Sequence, residues 1–362
     1  MDAKNNPYGS RPCKAPATIA VLGEAGCIWS LEGTALWPNH GPADRRVRVF
    51  FSLWEANLSD PSILEIPNHG GPVAIIADLH FKSYSQYGCN PFASLGLEAC
   101  FHQQNLDALI VAGDLSDIFG PSLQDALAYL TRYVPADRIF VLPGNHDYYN
   151  TRLDDDAPLR ELVRAHGSWY VQKAQLRHRG DRYFCATLWT DFNVLGDPYV
   201  GKEVAQRLMR DYKVISIAAP GGDMRDVDVE QAHRLRPITP DDTIAVHQNH
   251  RDWLTERLAE PHFSPEGRTF VVSHHGPHLS AAGPTGRLTS AFHSNLEDLL
   301  RANDIDCWYF GHSHRRLSAM IAGTRIQNVS LGYPHEKHGD VEDDLTRVCF
   351  VPATRQPLRS AV

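Results

Sequence analysis

From Val73 onward the chain alternates two hydrophobic patterns. Short runs at Val73–Ala77, Ala108–Ala112, Ile139–Leu142, Thr269–Ser273 and Cys307–Phe310 are apolar or β-branched at nearly every position. Such runs read as strands buried on both faces. Between them lie segments with helical start signals: Pro91–Gln104 with proline in its first turn, Ser122–Tyr133 with serine as N-cap, Val200–Tyr212 and Ser290–Ala302. A further helix runs from Thr239 to about Leu258, where Thr239 caps, Pro240 takes the first position and Asp241 and Asp242 favour the positive end. Successive strand–helix–strand units predict parallel pairing with right-handed crossovers. Residues 167–188 alternate more like antiparallel strands, at Trp169–Val171 and Tyr183–Leu188, and short strands near Arg325–Ser330 and Thr346–Val351 finish the chain.

Residues 1–70 follow neither pattern. They are rich in Pro, Gly and Asn and end at Asn68-His69-Gly70-Gly71-Pro72, which marks an accessory N-terminal extension with a candidate strand at Arg46–Phe51. The regular domain occupies 71–362, with a less periodic, substrate-side insertion at about 190–240. Composition narrows the function classes. A net charge of -8 argues against a broad basic surface, and so against nonspecific nucleic-acid binding. The seven cysteines are scattered, odd in number and without a C-x-x-C pair, which argues against a disulfide framework and fits a reducing compartment. No apolar stretch reaches the ~18 residues of a membrane span. Glu24 and Glu32 interrupt the nearest approach to a signal peptide, so a cytoplasmic location is the expectation.

Five fragments carry the chemistry: Asp78-Leu79-His80, Gly113-Asp114, Gly144-Asn145-His146-Asp147, Val272-Ser273-His274-His275 and Gly311-His312-Ser313-His314. Each follows a predicted strand, and the carboxyl edge of an open α/β sheet is where such folds bind ligands. Singly, Asp-x-His is common and Gly-Asp or Gly-Asn is a turn; the ordered set is what has meaning. Carboxylates, imidazoles and an amide in this number suit a pair of divalent cations. Two such ions about 4 Å apart can make hydroxide at neutral pH, neutralise phosphoryl oxygens and orient an in-line attack.

In this series the chain resembles the calcineurin-like metallophosphoesterase superfamily, with motifs D-x-H, G-D, G-N-H-D/E, H and G-H-x-H, over about residues 73–352. The resemblance implies a four-layer α/β/β/α sandwich of two mixed sheets flanked by helices, with the metal site at strand carboxyl ends. It implies that Asp78, His80 and His314 hold one metal, that Asn145, His274 and His312 hold the other, and that Asp114 bridges both. His146 would be the general acid at the leaving group, with a metal-bound hydroxide attacking phosphorus from the other side. Asp117 resembles the acid that bonds this histidine in many relatives and would keep it protonated. Two carboxylates contribute about -2 against about +4 from two divalent ions, so the site would draw an anionic group on an acidic protein. Mixed imidazole and oxygen ligands suit Mn, Fe, Zn or Co better than Ca or Mg.

The resulting expectation is a phosphodiesterase or phosphomonoesterase acting on a small phosphorylated substrate. The alternatives are a metal-dependent nuclease and a noncatalytic scaffold. The sequence lacks the G-D-x-V-D-R-G and G-N-H-E of protein serine/threonine phosphatases, and the Arg typical of lipid A precursor pyrophosphatases is His146 here. Of the adjacent His274 and His275, only one can face a given metal, and the V-x-x-H spacing from Val271 favours His274, leaving His275 for substrate. His247 and His250 read as a solvated helix face, Trp189–Phe192 and Gly332–Glu336 as packing and turns rather than pocket walls, and Asp154–Asp156 as a solvated loop. His293 has no assignment.

Overall fold

The structure is a computed structural model that describes residues 63–219, 235–336 and 349–352. Its strands, in chain order, are β1 (Ile63–Glu65), β2 (Val73–Ile76), β3 (Ala108–Ala112), β4 (Ile139–Leu142), β5 (Trp169–Tyr170), β6 (Ala174–His178), β7 (Asp181–Ala186), β8 (Ser216–Ala218), β9 (Leu235–Pro237), β10 (Thr269–Ser273), β11 (Cys307–Phe310), β12 (Ser318–Ile321) and β13 (Thr324–Asn328). The smaller main sheet, β2-β3-β4-β5, is parallel throughout, and an antiparallel bridge from Phe350 to Ala74 makes its edge mixed. The larger, β1-β6-β7-β10-β11-β13-β12, combines parallel pairs with antiparallel β6/β7 and β12/β13.

Alternation within each strand explains the layering. Ile75, Ile110, Phe140 and Leu142 from the small sheet meet Leu176, Tyr183, Phe270, Val272 and Tyr309 from the large one in a shared core. Their neighbours Ala74, Ile76, Leu109 and Val111 face the opposite way, against Phe101, Leu123, Leu127 and Leu130 of the helices. On the far side of the large sheet, Phe184, Val271, Trp308 and Phe310 pack on Leu254, Leu258, Leu299 and Leu300. The result is the α/β/β/α sandwich, and the consecutive apolar runs follow from having cover on both faces. Each fully buried Ile, Leu or Phe contributes roughly 1.5–3 kcal/mol.

Several elements differ from the sequence expectation, and tertiary contacts give the reason. The 91–104 helix is two, Pro91–Ser94 and Glu98–Gln103, because Gly96 turns left-handed (φ +70°) between them. The helix expected at Ser122 starts at Pro121 after Gly120, and the Ser122 hydroxyl pairs with that of Ser116 instead of capping. The 290–302 helix breaks into Thr289–Phe292 and Glu297–Ala302 where His293 bridges Gly276. Trp169–Tyr170 pairs parallel with β4; the antiparallel partner of β7 is Ala174–His178. The 200–212 helix is Pro198–Leu208 followed by a short turn of helix at Asp211–Val214. The Thr239 start is as expected, with a full capping box to Asp242. The Arg46–Phe51 strand, part of 346–351 and much of the extension lie outside the described residues. Ile63–Glu65 adds an edge strand to the large sheet. Among the described residues no helix is long and apolar enough to cross a membrane.

Candidate metal centre

β2, β3, β4, β10 and β11 all end at one edge of the sandwich, so five loops from two sheets meet there. The chain turns sharply to make them. Asp78 (φ 55°), His80 (44°), Asp114 (52°), His312 (64°) and His314 (52°) are all left-handed. For a residue with a Cβ this costs on the order of 1–3 kcal/mol and persists only where surroundings enforce it. The enforcement is visible: Asp78 N–H donates to Gly113 O (3.0 Å), His80 N–H to Asp114 O (3.1 Å) and Gly311 N–H to His274 O (2.9 Å), while His312 N–H donates to the Asp78 carboxylate (2.9 Å). Glycine is needed where loops touch. A Cβ on Gly144 would lie 2.2 Å from Asp114 Oδ1 and 2.8 Å from His274 Cε1.

Hydrogen bonds fix which ring nitrogens face the centre. His274 Nδ1 sits 2.9 Å from Ala112 O, so it must carry the proton and donate. Its Nε2 lone pair then faces Asn145 Oδ1 (3.0 Å), His312 Nδ1 (3.2 Å) and Asp114 Oδ1 (3.5 Å). Likewise His80 Nδ1 donates to Asp117 (2.8 Å) and His314 Nδ1 to Glu336 (2.8 Å). That leaves the two Nε2 atoms 3.1 Å apart, with Asp78 Oδ1 3.2 Å from that of His314. Two groups therefore form, Asp78–His80–His314 and Asp114–His274–His312 with Asn145; a third, His80–Asp117–His146, shares His80 with the first and has its carboxylate already bonded to that ring. Nitrogen and oxygen atoms brought this close are held either by protons between them or by a metal ion, and oxygen partners behind the ligating imidazoles are what metal sites use to fix the tautomer. Asp114 Oδ1 looks to His274 while Oδ2 lies 3.9 Å from His80 Nε2, so its carboxylate spans both groups. The residues present thus fit two cations.

The electrostatics agree. Burial pushes the Asp114 carboxyl up, but His274, His146 and His80 overcome it and hold it well below the usual carboxylate range. Burial opposes charge on His274, yet Asp114 and Asp78 carry it up to about 9; against the same penalty Asp78 and Glu336 carry His314 up to about 10. The carboxylates demand positive charge at the positions where divalent ions would displace protons.

His146 faces the cleft from one side, its Nε2 3.9 Å from Asp114 Oδ2 and its ring stacked on Tyr149 at 4.4 Å. Asp117 requires a correction. Its short bond goes to His80; His146 Nδ1 is 3.9 Å away and makes no hydrogen bond. The Ser83 N–H and hydroxyl, each 2.9 Å from Asp117 Oδ2, hold the carboxylate over the ligand instead. Burial consequently dominates at His146 and pushes it down to about 4.

Sequence reasoning missed several neighbours. Asp211 accepts from Asn145 Nδ2 (2.7 Å) and Tyr149 OH (3.2 Å), which aims the amide oxygen inward. Burial pushes its carboxyl up to about 6. Ser330 Oγ donates to Asp78 (2.6 Å), and Asp147 accepts from Asp114 N–H (2.9 Å) and Gly144 N–H (2.8 Å). Tyr333 stacks on His80 at 4.0 Å and, with Glu336, lines the cleft, so this segment is wall rather than turn packing. Trp189, Thr190 and Phe192 are buried as expected. His275 is buried behind His312 (4.3 Å between rings) and does not line the cleft, which leaves it no route to substrate. His247 and His250 are not solvated: both are buried, bonded to the backbone of Leu188 and Trp189. His293 is buried against Gly276. Asp154 pairs with Arg152 while Asp156 accepts from Tyr148 OH, so the acidic run is only partly solvated.

A family model described as calcineurin-like phosphoesterase matches residues 71–316. The chain is similar to an uncharacterized protein, L509, of Acanthamoeba polyphaga mimivirus: 24% identical over 248 residues, 64% of this chain and 80% of that protein. Among solved structures it is similar to the phosphopantetheinyl hydrolase PptH of Mycobacterium tuberculosis, with a TM-score of 0.52 and 17% identity over 80% of this chain and 98% of the other. At that identity the likeness is one of fold.

Proposed function

The chain belongs to the calcineurin-like phosphoesterase family, and from that premise we propose that it is a dinuclear metal-dependent phosphoesterase acting on a small phosphorylated substrate. The observation that carries this reading is the pair of His/Asp clusters joined by Asp114. When bound, two divalent ions, with manganese the first to try, would activate water at neutral pH and neutralise phosphoryl oxygens. Asp78, His80 and His314 would hold one ion and Asn145, His274 and His312 the other, with Asp114 shared. His146 stands free of hydrogen bonds at Nδ1 beside the shared carboxylate, where it can give a proton to the departing oxygen. Burial holds its proton affinity down to about 4, so the anionic phosphoryl group bound beside it has to raise that affinity before the ring can carry the proton it gives.

The cleft supports a small substrate over a nucleic acid. Its volume of about 660 Å³ lies in the range of small-molecule sites. Its wall sets Asp117, Asp211 and Glu336 among Lys82 and Arg210, a mixture rather than the continuous basic groove a nucleic-acid backbone needs. The test is hydrolysis of p-nitrophenyl phosphate and bis-p-nitrophenyl phosphate with Mn²⁺. His146→Ala is expected to slow turnover by about 10²–10⁴-fold while sparing metal content, and Asp114→Asn to lose both ions by elemental analysis. Full activity in His146→Ala would remove the general-acid assignment; cleavage of single-stranded DNA in preference to both esters would favour a nuclease.

A further inference from the structure

The cleft carries one feature the metal groups do not use. Arg210 lines it together with Leu208, Met209, Leu288 and Phe292. The guanidinium lies 5.4 Å from the centroid of the Tyr149 ring, and that ring lies 4.4 Å from the ring of His146, nearly parallel at 23°. Imidazole, phenol and guanidinium are thus in successive contact along the cleft wall. A leaving group beside His146 would therefore have Arg210 on the same wall of the cleft.

Arg210 is exposed, yet its backbone is held firmly. Its carbonyl accepts from Lys213 N–H (2.9 Å) and Val214 N–H (3.2 Å), and the next residue, Asp211, is tied to Asn145 and Tyr149. The acids around the cleft are engaged elsewhere: Asp211 on Asn145, Asp117 on His80 and Ser83, Glu336 on His314. Among the described residues Arg210 has no carboxylate partner. A guanidinium stacked over an aromatic face keeps its N–H edge free and pre-oriented for a planar anion.

Resting on the phosphoesterase reading above, we propose that Arg210 is a specificity residue that binds a second anionic group, a carboxylate or phosphate carried by the leaving group of the substrate. Its expected signature is selectivity for charge at fixed shape. The matched probes are 4-carboxyphenyl phosphate and the near-isosteric, neutral 4-carbamoylphenyl phosphate, with the full chain and Mn²⁺. Wild type should prefer the carboxylate by about tenfold in kcat/KM, mostly through KM, as one charge-assisted contact provides. The preference should shrink as salt is raised, a measurement that needs no variant. R210Q should bring the ratio to about one, and R210E should invert it. Turnover of both esters with a wild-type ratio near one, or with a ratio that R210Q leaves in place, overturns the inference and leaves the phosphoesterase reading standing. No turnover of either ester under any metal overturns both.

Discussion

Asp117 offers the most discriminating perturbation, because a partner on His146 and a partner on His80 lead to different losses. The carboxylate accepts from His80 Nδ1 at 2.8 Å and from Ser83 at 2.9 Å, and it is 18% exposed while the His80 side chain is 1% exposed. Asp117→Ala strands a buried imidazole N–H and frees the ring to turn its Nε2 away from His314. An unpaired buried donor costs about 1–3 kcal/mol, and removing the carboxylate behind a ligating histidine weakens metal binding about 10–100-fold. The loss should fall on one ion. Asn145, His274 and His312 do not touch Asp117, so their ion should bind as before. Calorimetric Mn²⁺ titration, with elemental analysis after gel filtration, reads the two sites separately. The expected result is one unchanged site, one weakened by about 10–100-fold, and activity that recovers at high Mn²⁺. Two ions bound at wild-type affinity, with turnover slow at every Mn²⁺ concentration, would refute the geometry and return Asp117 to His146.

Asp211→Ala should produce the mirror image: Asn145 loses the 2.7 Å bond that aims its oxygen, and the other ion weakens by about tenfold in the same titration. Asp242→Asn tests the N-terminus of the Pro240–Ala259 helix. Arg236 first, then the Thr239 N–H and hydroxyl, hold the Asp242 carboxyl down to about 2. A depressed carboxylate stabilises the fold above its ordinary pKa of 3.8, and that stabilisation is lost as pH falls through about 2. The pair is partly solvated, so the cap sets the scale: a loss of about 1 kcal/mol by urea denaturation at pH 7, closing toward pH 2. An equal loss at both pH values would exclude the carboxylate as its source. His250→Leu removes the acceptor of the buried Leu188 N–H (3.1 Å) and is expected to cost about 1–3 kcal/mol; a neutral or stabilising result would show that packing alone decides this position.

The sheets and the seven candidate ligands were legible because one physical fact encodes both. A strand buried on both faces must be apolar throughout, so the polar residue that follows it is conspicuous and its position at the sheet edge is known. Val73–Ala77 leading into Asp78, and Cys307–Phe310 leading into His312, are read in this way. The residues behind the ligands carry no such mark. Asp211 opens a four-residue helix as many acids do, and Ser330 follows a strand like any turn residue. Their contacts cross 66 and 252 positions of sequence, respectively. Glu336 had a weak signal, an acid closing a Tyr-Pro-His-Glu run, but nothing local aims it at His314. Helix breaks at Gly96 and His293 were hidden for a related reason: propensity describes a segment alone, and the bridge from His293 to Gly276 belongs to two segments.

His247 and His250 show how the same edge governs residues with no chemical duty. β7 ends beside the ligand strands, and its chain also leaves in left-handed turns, at Leu188 (φ 76°) and Trp189 (φ 54°). Those turns take backbone groups out of the sheet ladder in a buried place, where each must still find a partner. His250 accepts from Leu188 N–H, and His247 Nδ1 lies 3.1 and 3.2 Å from the Leu188 and Trp189 carbonyls, so it must donate to them. The two imidazoles are one turn apart because both points they serve lie on one strand end. Trp189, held in this way, stacks on His275, and His275 packs on the candidate ligand His312. A histidine pair that reads from sequence as a wet surface is thus part of the wall that keeps the centre in place, and its polarity answers to the backbone rather than to solvent or metal.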